Sequence, residues 1–417
     1  MNNKEQNKFI SILIWSCITL FYCYQYILRP LPNIIMPEIL DKYGIGAAEF
    51  GSFAGSYYIG YIIVHIPIGI LLSRLGAKTV IPICIVCTAL GLAPMIYCNS
   101  WWIVVVGRIF TGIGSSAAIV GALQIFRILY PTKFTMMLGI MVSLSLITAV
   151  YASTLMSGII ASIGMDATIS VLLYTGILLA ILTYFLLPAP VSEVSHSNIW
   201  TDIKAIICNY RLLFASIFAG LMVGPLEGFA DAWGSAFIIS VYGMEKTVAD
   251  SITLSVFLGM CVGCLILPYI ADKTRCYFGV TIFSGIVMIA CFMYILSGKA
   301  TTDSLYYTCV ITGIFCAYQV VIIARIATFV REERSGMAAA VVNMIIMTFG
   351  WIFHNSIGMT LDKLWDGTIT NGIKSYSAEA FITSISIIPT SSAIAIIGLT
   401  FMSMANVIKA HLNKKNS

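Results

Sequence analysis

Twelve apolar stretches, each long enough to cross a bilayer, dominate this chain. They lie near 9–38, 48–72, 79–98, 101–130, 134–161 and 168–187, then near 211–241, 250–271, 277–297, 304–330, 335–360 and 379–406. A helical crossing takes about 20 apolar residues. No strand alternation competes with that reading, and an open sheet edge cannot lie in lipid, so the stretches are expected to be helices. Only 10% of residues are charged, where a soluble domain carries about 25%, and the soluble class is excluded. The expected fold is an all-α polytopic membrane protein with twelve transmembrane helices. They form two six-helix bundles, residues 1–188 and 210–417, joined by a polar cytoplasmic linker at 189–209.

Charge sets the orientation. With the amino terminus inside, most of the 23 bases fall on cytoplasmic segments. Only Lys42, Lys246, Lys299, Lys363 and Lys374 then face out, while Arg29 and Arg108 lie within spans. Cytoplasmic loops carry the excess of Lys and Arg, so both termini are expected in the cytoplasm. The net charge of +5 reflects this topology and gives no reason to invoke nucleic acid. The first apolar run is too long for a cleavable signal and has no small-residue cleavage site. The 12 cysteines fall mostly within apolar runs and read as small packing residues. No P-loop, metal-ligand spacing or nucleophile–base set is present, so neither an enzyme nor a cofactor or metal site is expected.

The halves repeat. Tyr43-Gly44 matches Tyr242-Gly243, and the same separation pairs Gly60 with Gly259 and Arg74 with Lys273. Duplicated six-helix halves related by an axis along the membrane normal are one plan of secondary transporters. Three stretches then carry a family resemblance. "YIGYIIVHIPIGILLSRLGAK" (58–78) resembles the second helix and following loop of the major facilitator superfamily, through Gly69, Arg74, Gly76 and Lys78. Ser73 replaces the acid of that loop, whereas the second copy, "PYIADKTR" (268–275), keeps it as Asp272. "GRIFTGIGSS" (107–116) resembles the fourth-helix motif through Arg108, Gly112 and Gly114. The Gly-Pro-rich fifth-helix motif of the antiporters is absent from 134–161. Within the superfamily, 21–39, 112–125 and 224–234 resemble the phagosomal nutrient importers of intracellular bacteria. That likeness implies import of amino acids, or of nucleosides in some members, across a bacterial inner membrane. Lysosomal dipeptide transporters are a more distant likeness. The resemblance also implies that Ser73, Arg74, Asp272 and Lys273 form a cytoplasmic gate.

Buried charge marks the candidate site. "PLEGFADAWG" (225–234) sets Glu227 and Asp231 four residues apart in an apolar run, on one face of an α-helix. A charge there costs at least a few kcal/mol. By helical rise, Glu227 lies about 6 Å deeper than Asp231. Arg29 and Arg108 occupy the other half of the chain, and all four charges are expected in the outer half of the membrane, so one half supplies two cations and the other two anions. This pattern suits a zwitterion: Arg29 grips a carboxylate in two-pronged fashion, and Glu227 or Asp231 takes an ammonium. The alternative is a salt bridge that closes the outer mouth. Glu227, Asp231 and Arg108 are the candidates for proton coupling. Gln25, Tyr26 and Asn33 are further lining candidates, as are Tyr318, Gln319, His354 and Asn355. Pro30, Pro32, Gly224, Pro225 and Gly228 are expected to break helices beside the charges. The composite expectation is a monomeric, proton-driven importer of a small zwitterion. Nucleosides, dipeptides or organic anions are alternative cargoes, and a transporter-like sensor is an alternative role.

Overall fold

The computed structural model describes residues 3–130, 134–187, 204–330, 335–370 and 373–415. Helices account for nearly all of it, because a backbone in hydrocarbon must satisfy its own polar groups. In chain order the first half runs α1 (Asn3–Leu28), α2 (Leu31–Ile34), α3 (Met36–Tyr43), α4 (Ala47–Leu75), α5 (Ala77–Leu90), α6 (Ala93–Tyr97), α7 (Trp101–Ser115), α8 (Ala117–Leu129), α9 (Phe134–Ile163) and α10 (Met165–Leu186). The second half opens with α11 (Tyr210–Leu221), a π-helical segment (Gly224–Trp233), α12 (Gly234–Tyr242), α13 (Lys246–Thr274), α14 (Tyr277–Leu296), α15 (Thr302–Cys316), α16 (Tyr318–Ala327) and α17 (Ser335–Lys363). A two-residue hairpin follows, β1 (Ile369–Thr370) against β2 (Ile373–Lys374), then α18 (Ala378–Ile385) and α19 (Ile387–Lys415). Among the described residues, ten segments are long and apolar enough to span a membrane. Two further bent pairs, one of them Tyr210–Leu221 with Gly224–Tyr242 at 42°, bring the number to twelve when each counts as one span.

The duplication is visible element by element. Helices α4 and α13 are each 29 residues long and start at matching positions of the two halves. Helices α7 and α15 are each 15 residues, with a separation two residues longer. Their contacts repeat as well. A Cβ on Gly60 would lie 2.1 Å from the Ile109 carbonyl oxygen, and one on Gly259 would lie 1.9 Å from that of Val310. On the opposing helices, a Cβ on Gly112 would lie 1.9 Å from the Tyr57 oxygen, and one on Gly313 would lie 1.9 Å from the Val256 oxygen. Small residues let membrane helices approach backbone to backbone. Gly60→Ala and Gly259→Ala should each lower the midpoint of thermal unfolding, by an amount corresponding to about 1–3 kcal/mol of overpacking. Gly139→Ala, where a Cβ meets nothing within 4 Å, should leave the midpoint unchanged.

One turn breaks the symmetry. Gly76 joins α4 to α5 at φ 76°, and the matching position of the second half is Arg275 at φ 57°. A side chain in the left-handed region costs roughly 1–2 kcal/mol. The second copy keeps the backbone geometry of the turn without the glycine that relieves it.

The helices group into two compact units. Unit 1 comprises Met1–Ser197 with Leu361–Ser375, and unit 2 comprises Asn198–Thr360 with Tyr376–Ser417. In unit 1, α4 packs on α7, α5 on α10 and on α7, and α1 on α9. In unit 2, α13 packs on α15 and α14 on α19, repeating the pairs α4 with α7 and α5 with α10. Most of the expected linker, 188–203, lies outside the described residues. Its last part is one helical turn at 204–207, and Asn209 then caps α11 by accepting the Leu212 amide at 3.3 Å. The segment 361–375 was expected to belong with the second half and instead clusters with unit 1.

Candidate functional site

In unit 1 the site begins with a missing hydrogen-bond donor. Proline disfavours helix at the residue before it, so α1 stops ahead of Pro30. The carbonyl of Leu28 would be met by the amide of residue 32, but Pro32 has none. The Asn33 amide, due to the Arg29 carbonyl, turns to Pro30 instead at 3.0 Å. Two carbonyls at a buried helix end are thereby left without intrahelical donors. Arg108 of α7 supplies both: Nη1 donates to the Leu28 oxygen at 2.8 Å and Nη2 to the Arg29 oxygen at 3.0 Å. Its guanidinium is 2% exposed and lies over the Tyr57 ring at 4.9 Å and the Phe53 ring at 5.7 Å. The negative end of α1 and these ring faces compensate the buried charge.

Arg29 occupies the break itself, half-buried between aromatic rings. Its guanidinium lies 5.8 Å from the Tyr26 ring centroid and 5.6 Å from that of Tyr58. Nε and Nη2 each donate to the Tyr58 hydroxyl at 3.4 Å. One turn earlier, buried Gln25 accepts the Tyr57 hydroxyl at 2.9 Å. Asn33 is buried just beyond the break. Tyr22 packs on Tyr26, and on α4 Tyr57, Tyr61 and His65 stack in succession at four-residue spacing. The Nδ1 of His65 is buried without a hydrogen-bond partner among the described residues. Tyr57 and Tyr58 were not among the sequence candidates. Their signal was present in the aromatic spacing of α4, which was used only for the loop motif at its end.

In unit 2, α11 ends at Leu221, and the chain resumes as the π-helical segment. All ten residues of that segment are buried, with Glu227 at 0% and Asp231 at 1% exposure. This corrects the α-helical geometry expected for "PLEGFADAWG". A π-helix bonds i to i+5, and its wider turn advances less per residue. The two acids are therefore closer in depth than the 6 Å that α-helical rise implies. The wide turn presses on its neighbours: a Cβ on Gly228 would sit 3.1 Å from the Phe353 Cβ, and one on Gly224 would sit 3.0 Å from Ile388 Cγ1. π-segments are frequent at functional sites.

The remaining candidates of unit 2 differ in their surroundings. The Tyr318 hydroxyl donates to the Ala219 carbonyl at 2.7 Å and so supports the end of α11. Gln319 is buried, and its Nε2 has no partner among the described residues. His354 is buried on α17, while the Asn355 amide donates to the Trp351 carbonyl of its own helix at 3.0 Å. A third buried acid escaped the sequence reading. Asp250, 2% exposed on α13, accepts a hydrogen bond from the Ser235 hydroxyl of α12. It sits near the start of its apolar run, where an acid reads as a headgroup-level residue.

At the turn between α13 and α14 of unit 2, exposed Asp272 accepts the Tyr277 hydroxyl at 2.8 Å. The Arg325 guanidinium lies 5.8 Å from the Tyr277 ring, and Lys273 Nζ lies 5.9 Å from the Tyr269 ring. The side chains of Ser73 and Arg74, the matching pair in unit 1, lie outside the described residues. Among the described residues no group of His, Cys, Asp and Glu is placed to hold a metal ion.

Comparisons with known proteins agree with this architecture. A family model described as the Major Facilitator Superfamily matches residues 14–353. An uncharacterized transporter of Buchnera aphidicola from Schizaphis graminum is 26% identical over 201 residues, covering 46% of this chain and 49% of the relative. Another, from the Acyrthosiphon pisum symbiont, is 31% identical over 107 residues, covering 24% and 27%. The chain thus spans about a quarter to about half of the length of these curated relatives. Among solved structures, a variant of the nucleoside transporter NupG superposes with TM-score 0.77 at 17% identity, covering 94% of this chain and 99% of that one. A bacterial homolog of the human lysosomal transporter Spinster, inward-facing and occupied, gives TM-score 0.76 at 15% identity, covering 94% and 96%. At such identities the likeness is one of fold.

Proposed function

The chain belongs to the Major Facilitator Superfamily, and on that premise we propose that it imports a small zwitterionic nutrient, an amino acid, by proton-coupled alternating access. The observation that carries this reading is the placement of opposite charges at broken helices. Arg29 stands in the α1 break among tyrosines, and Glu227 and Asp231 stand fully buried in the π-segment. In the proposal Arg29 takes the substrate carboxylate, and Glu227 or Asp231 takes the ammonium. Gln25, Tyr26 and Asn33 complete the carboxylate end, while Tyr318, Gln319, His354 and Asn355 serve the other end. Arg108 holds the α1 break open and thereby orients Arg29, which is how it bears on proton coupling. Glu227 loads the proton, because it sits at the break, where its surroundings change when the hinge flexes. The protein works as a monomer in a bacterial inner membrane with both termini in the cytoplasm.

A thermal-shift screen of the purified protein tests the substrate class, using amino acids, dipeptides, nucleosides and dicarboxylates. Stabilisation by amino acids that requires both a free carboxylate and a free amine supports the reading. Stabilisation by dicarboxylates alone refutes it. A second reading, nucleoside transport, is favoured by the tyrosine cluster, since rings stack on rings. NupG, a nucleoside transporter, shares the fold. Stabilisation by nucleosides, retained in Arg29→Ala, would select that reading.

Asp272 and Lys273, with Ser73 and Arg74, are proposed as the cytoplasmic gate. Only the second copy carries the acid, so Asp272→Asn should lower uptake several-fold while Ser73→Ala leaves it within twofold. Initial uptake rates normalised to expression measure this. Equal losses would remove the asymmetry.

A further inference from the structure

The last span of unit 2 is interrupted at Ser386, between α18 and α19. Pro389 has no amide for the Ile385 carbonyl, so that carbonyl loses its helical donor. About three turns past the break, α19 packs tightly on α14: a Cβ on Gly285 would lie 2.9 Å from Ile396 Cδ1. Between that contact and the start of α18 the helices stand apart around a cavity of about 620 Å³. Ile289, Met293 and Leu296 form one wall, and Ile382, Pro389 and Ala393 form the other. Met293 is 59% exposed, so the cavity is open along its side. From Ile289 to Ser297 the α14 wall runs about 12 Å along the helix axis, at about 1.5 Å per residue. Half of a bilayer's hydrocarbon core is about 15 Å thick. The cavity therefore has the depth of one leaflet, closed at its inner end by the Gly285–Ile396 contact.

Its three hydroxyls are satisfied by the backbone beside them. Ser297 Oγ donates to the Tyr294 carbonyl at 2.7 Å, Ser386 Oγ to that of Thr383 at 2.6 Å, and Thr390 Oγ1 to that of Ser386 at 2.8 Å. A bound water needs about two to four polar partners, which suits these walls poorly. An empty cleft would forfeit dispersion contacts along its whole length. Hydrocarbon meets both conditions. The mouth is charged. Exposed Lys299 donates its amide to the Ser297 hydroxyl at 3.3 Å, which places it at the end of the α14 wall. Exposed Glu379 stands three residues before Ile382 and so shares its face of α18. Neither side chain is in an ion pair among the described residues. The first half differs here. Asp166 is the second residue of α10, as Glu379 is of α18, and it pairs with Lys42 at 2.7 Å. The position matching Lys42 in the second half is Val241, so the second copy keeps the acid without that cation.

We propose that the cavity between α14 and α18–α19 is a phospholipid site. One acyl chain lies between the walls, the phosphate meets Lys299, and an ammonium headgroup meets Glu379. The ligand is thus a phosphatidylethanolamine. The dimensions select an acyl chain over a second copy of the protein, because a helix is about 10–12 Å wide with its side chains and the two walls meet at Gly285. The site requires neither a transported substrate nor a conformational cycle, so it stands apart from the transport reading.

Photolabelling of the purified full chain in detergent tests the site, using phosphatidylethanolamine with a diazirine in one acyl chain. Label should concentrate several-fold on peptides from 289–297 and 382–393, relative to the α13 face of Val262, Leu265 and Tyr269, which is also exposed. Thr390→Trp puts a ring into the cavity and should remove that excess. Ile394→Trp adds the same ring on the exposed face of α19, where Ile394 is 53% exposed, and should leave it. Lys299→Gln adds no bulk at the mouth and should weaken labelling about fivefold, the effect of one lysine at a headgroup. Phosphatidylglycerol with the same chains should label more weakly, since it has no ammonium for Glu379. Even labelling of all exposed helices would make the lipid a solvent and overturn the proposal. Labelling unchanged in both Thr390→Trp and Lys299→Gln would also overturn it. Equal labelling by phosphatidylglycerol would overturn the choice of headgroup. A species of twice the chain mass in native mass spectrometry, lost in Thr390→Trp and not displaced by phosphatidylethanolamine, would give the cavity to a second copy.

Discussion

Arg29→Ala abolishes uptake, a loss on the order of 100-fold or more, while membrane insertion and thermal stability stay close to wild type. The magnitude follows from two charge-assisted hydrogen bonds, each contributing about 1.5–3 kcal/mol, to the proposed substrate carboxylate. Arg108 is not a substitute, because its Nη1 and Nη2 are committed to the Leu28 and Arg29 carbonyls. Stability is spared because Arg29 stands at a break, half-buried, and its backbone is held by Arg108 and not by its own side chain. Arg29→Lys should recover only part of the activity, since an ammonium cannot grip a carboxylate in two-pronged fashion. Arg108→Ala behaves differently. It leaves two buried carbonyls without donors, so it should lower the unfolding midpoint as well as uptake. Radiolabelled uptake in vesicles, normalised to expression and paired with thermal unfolding, separates the two arginines. Near wild-type uptake by Arg29→Ala would remove Arg29 from the site.

The duplication was legible because its markers are residues that backbone geometry forces. Gly44 and Gly243 both end helices with positive φ, at 61° and 66°, and such glycines keep their register when side chains around them diverge. The breaks beside Arg29 and Glu227 were legible for a similar reason, since proline and glycine act on the backbone directly. The role of Arg108 was half-legible. Pro32 predicts an orphaned Leu28 carbonyl, but only tertiary packing decides which side chain answers it. The π-segment was not legible, because an extra residue per turn leaves composition and apolar character unchanged. Asp250 was hidden by its position near a helix start. The bond from the Ala48 amide to Asp362 was out of reach, since nothing local to "DKLWDG" signals that its acid meets a helix start near residue 48.

Glu227→Gln should stop accumulation of substrate against a gradient and spare counterflow exchange, whereas Asp231→Asn should change apparent affinity and keep accumulation. Exposure does not separate these acids, at 0% and 1%, and the π-helical turn brings them closer in depth than α-helical rise implies. The distinction rests instead on the break. Glu227 lies in the first turn of the π-segment, beside Gly224, Pro225 and Gly228, and its amide bonds the Val223 carbonyl at the break at 3.0 Å. A group couples proton binding to a conformational change only if its surroundings differ between the states. An acid seated on a hinge meets that condition when the hinge flexes, while an acid one turn further along moves with the rigid part. A proton carrier must alternate between charged and neutral forms, so a fixed neutral amide uncouples the gradient without blocking exchange. Paired uptake and counterflow assays on both variants at acidic and neutral pH provide the measurement. Accumulation by Glu227→Gln with unchanged pH dependence would move the proton elsewhere, and Asp250, the third buried acid of unit 2, would be the next residue to replace.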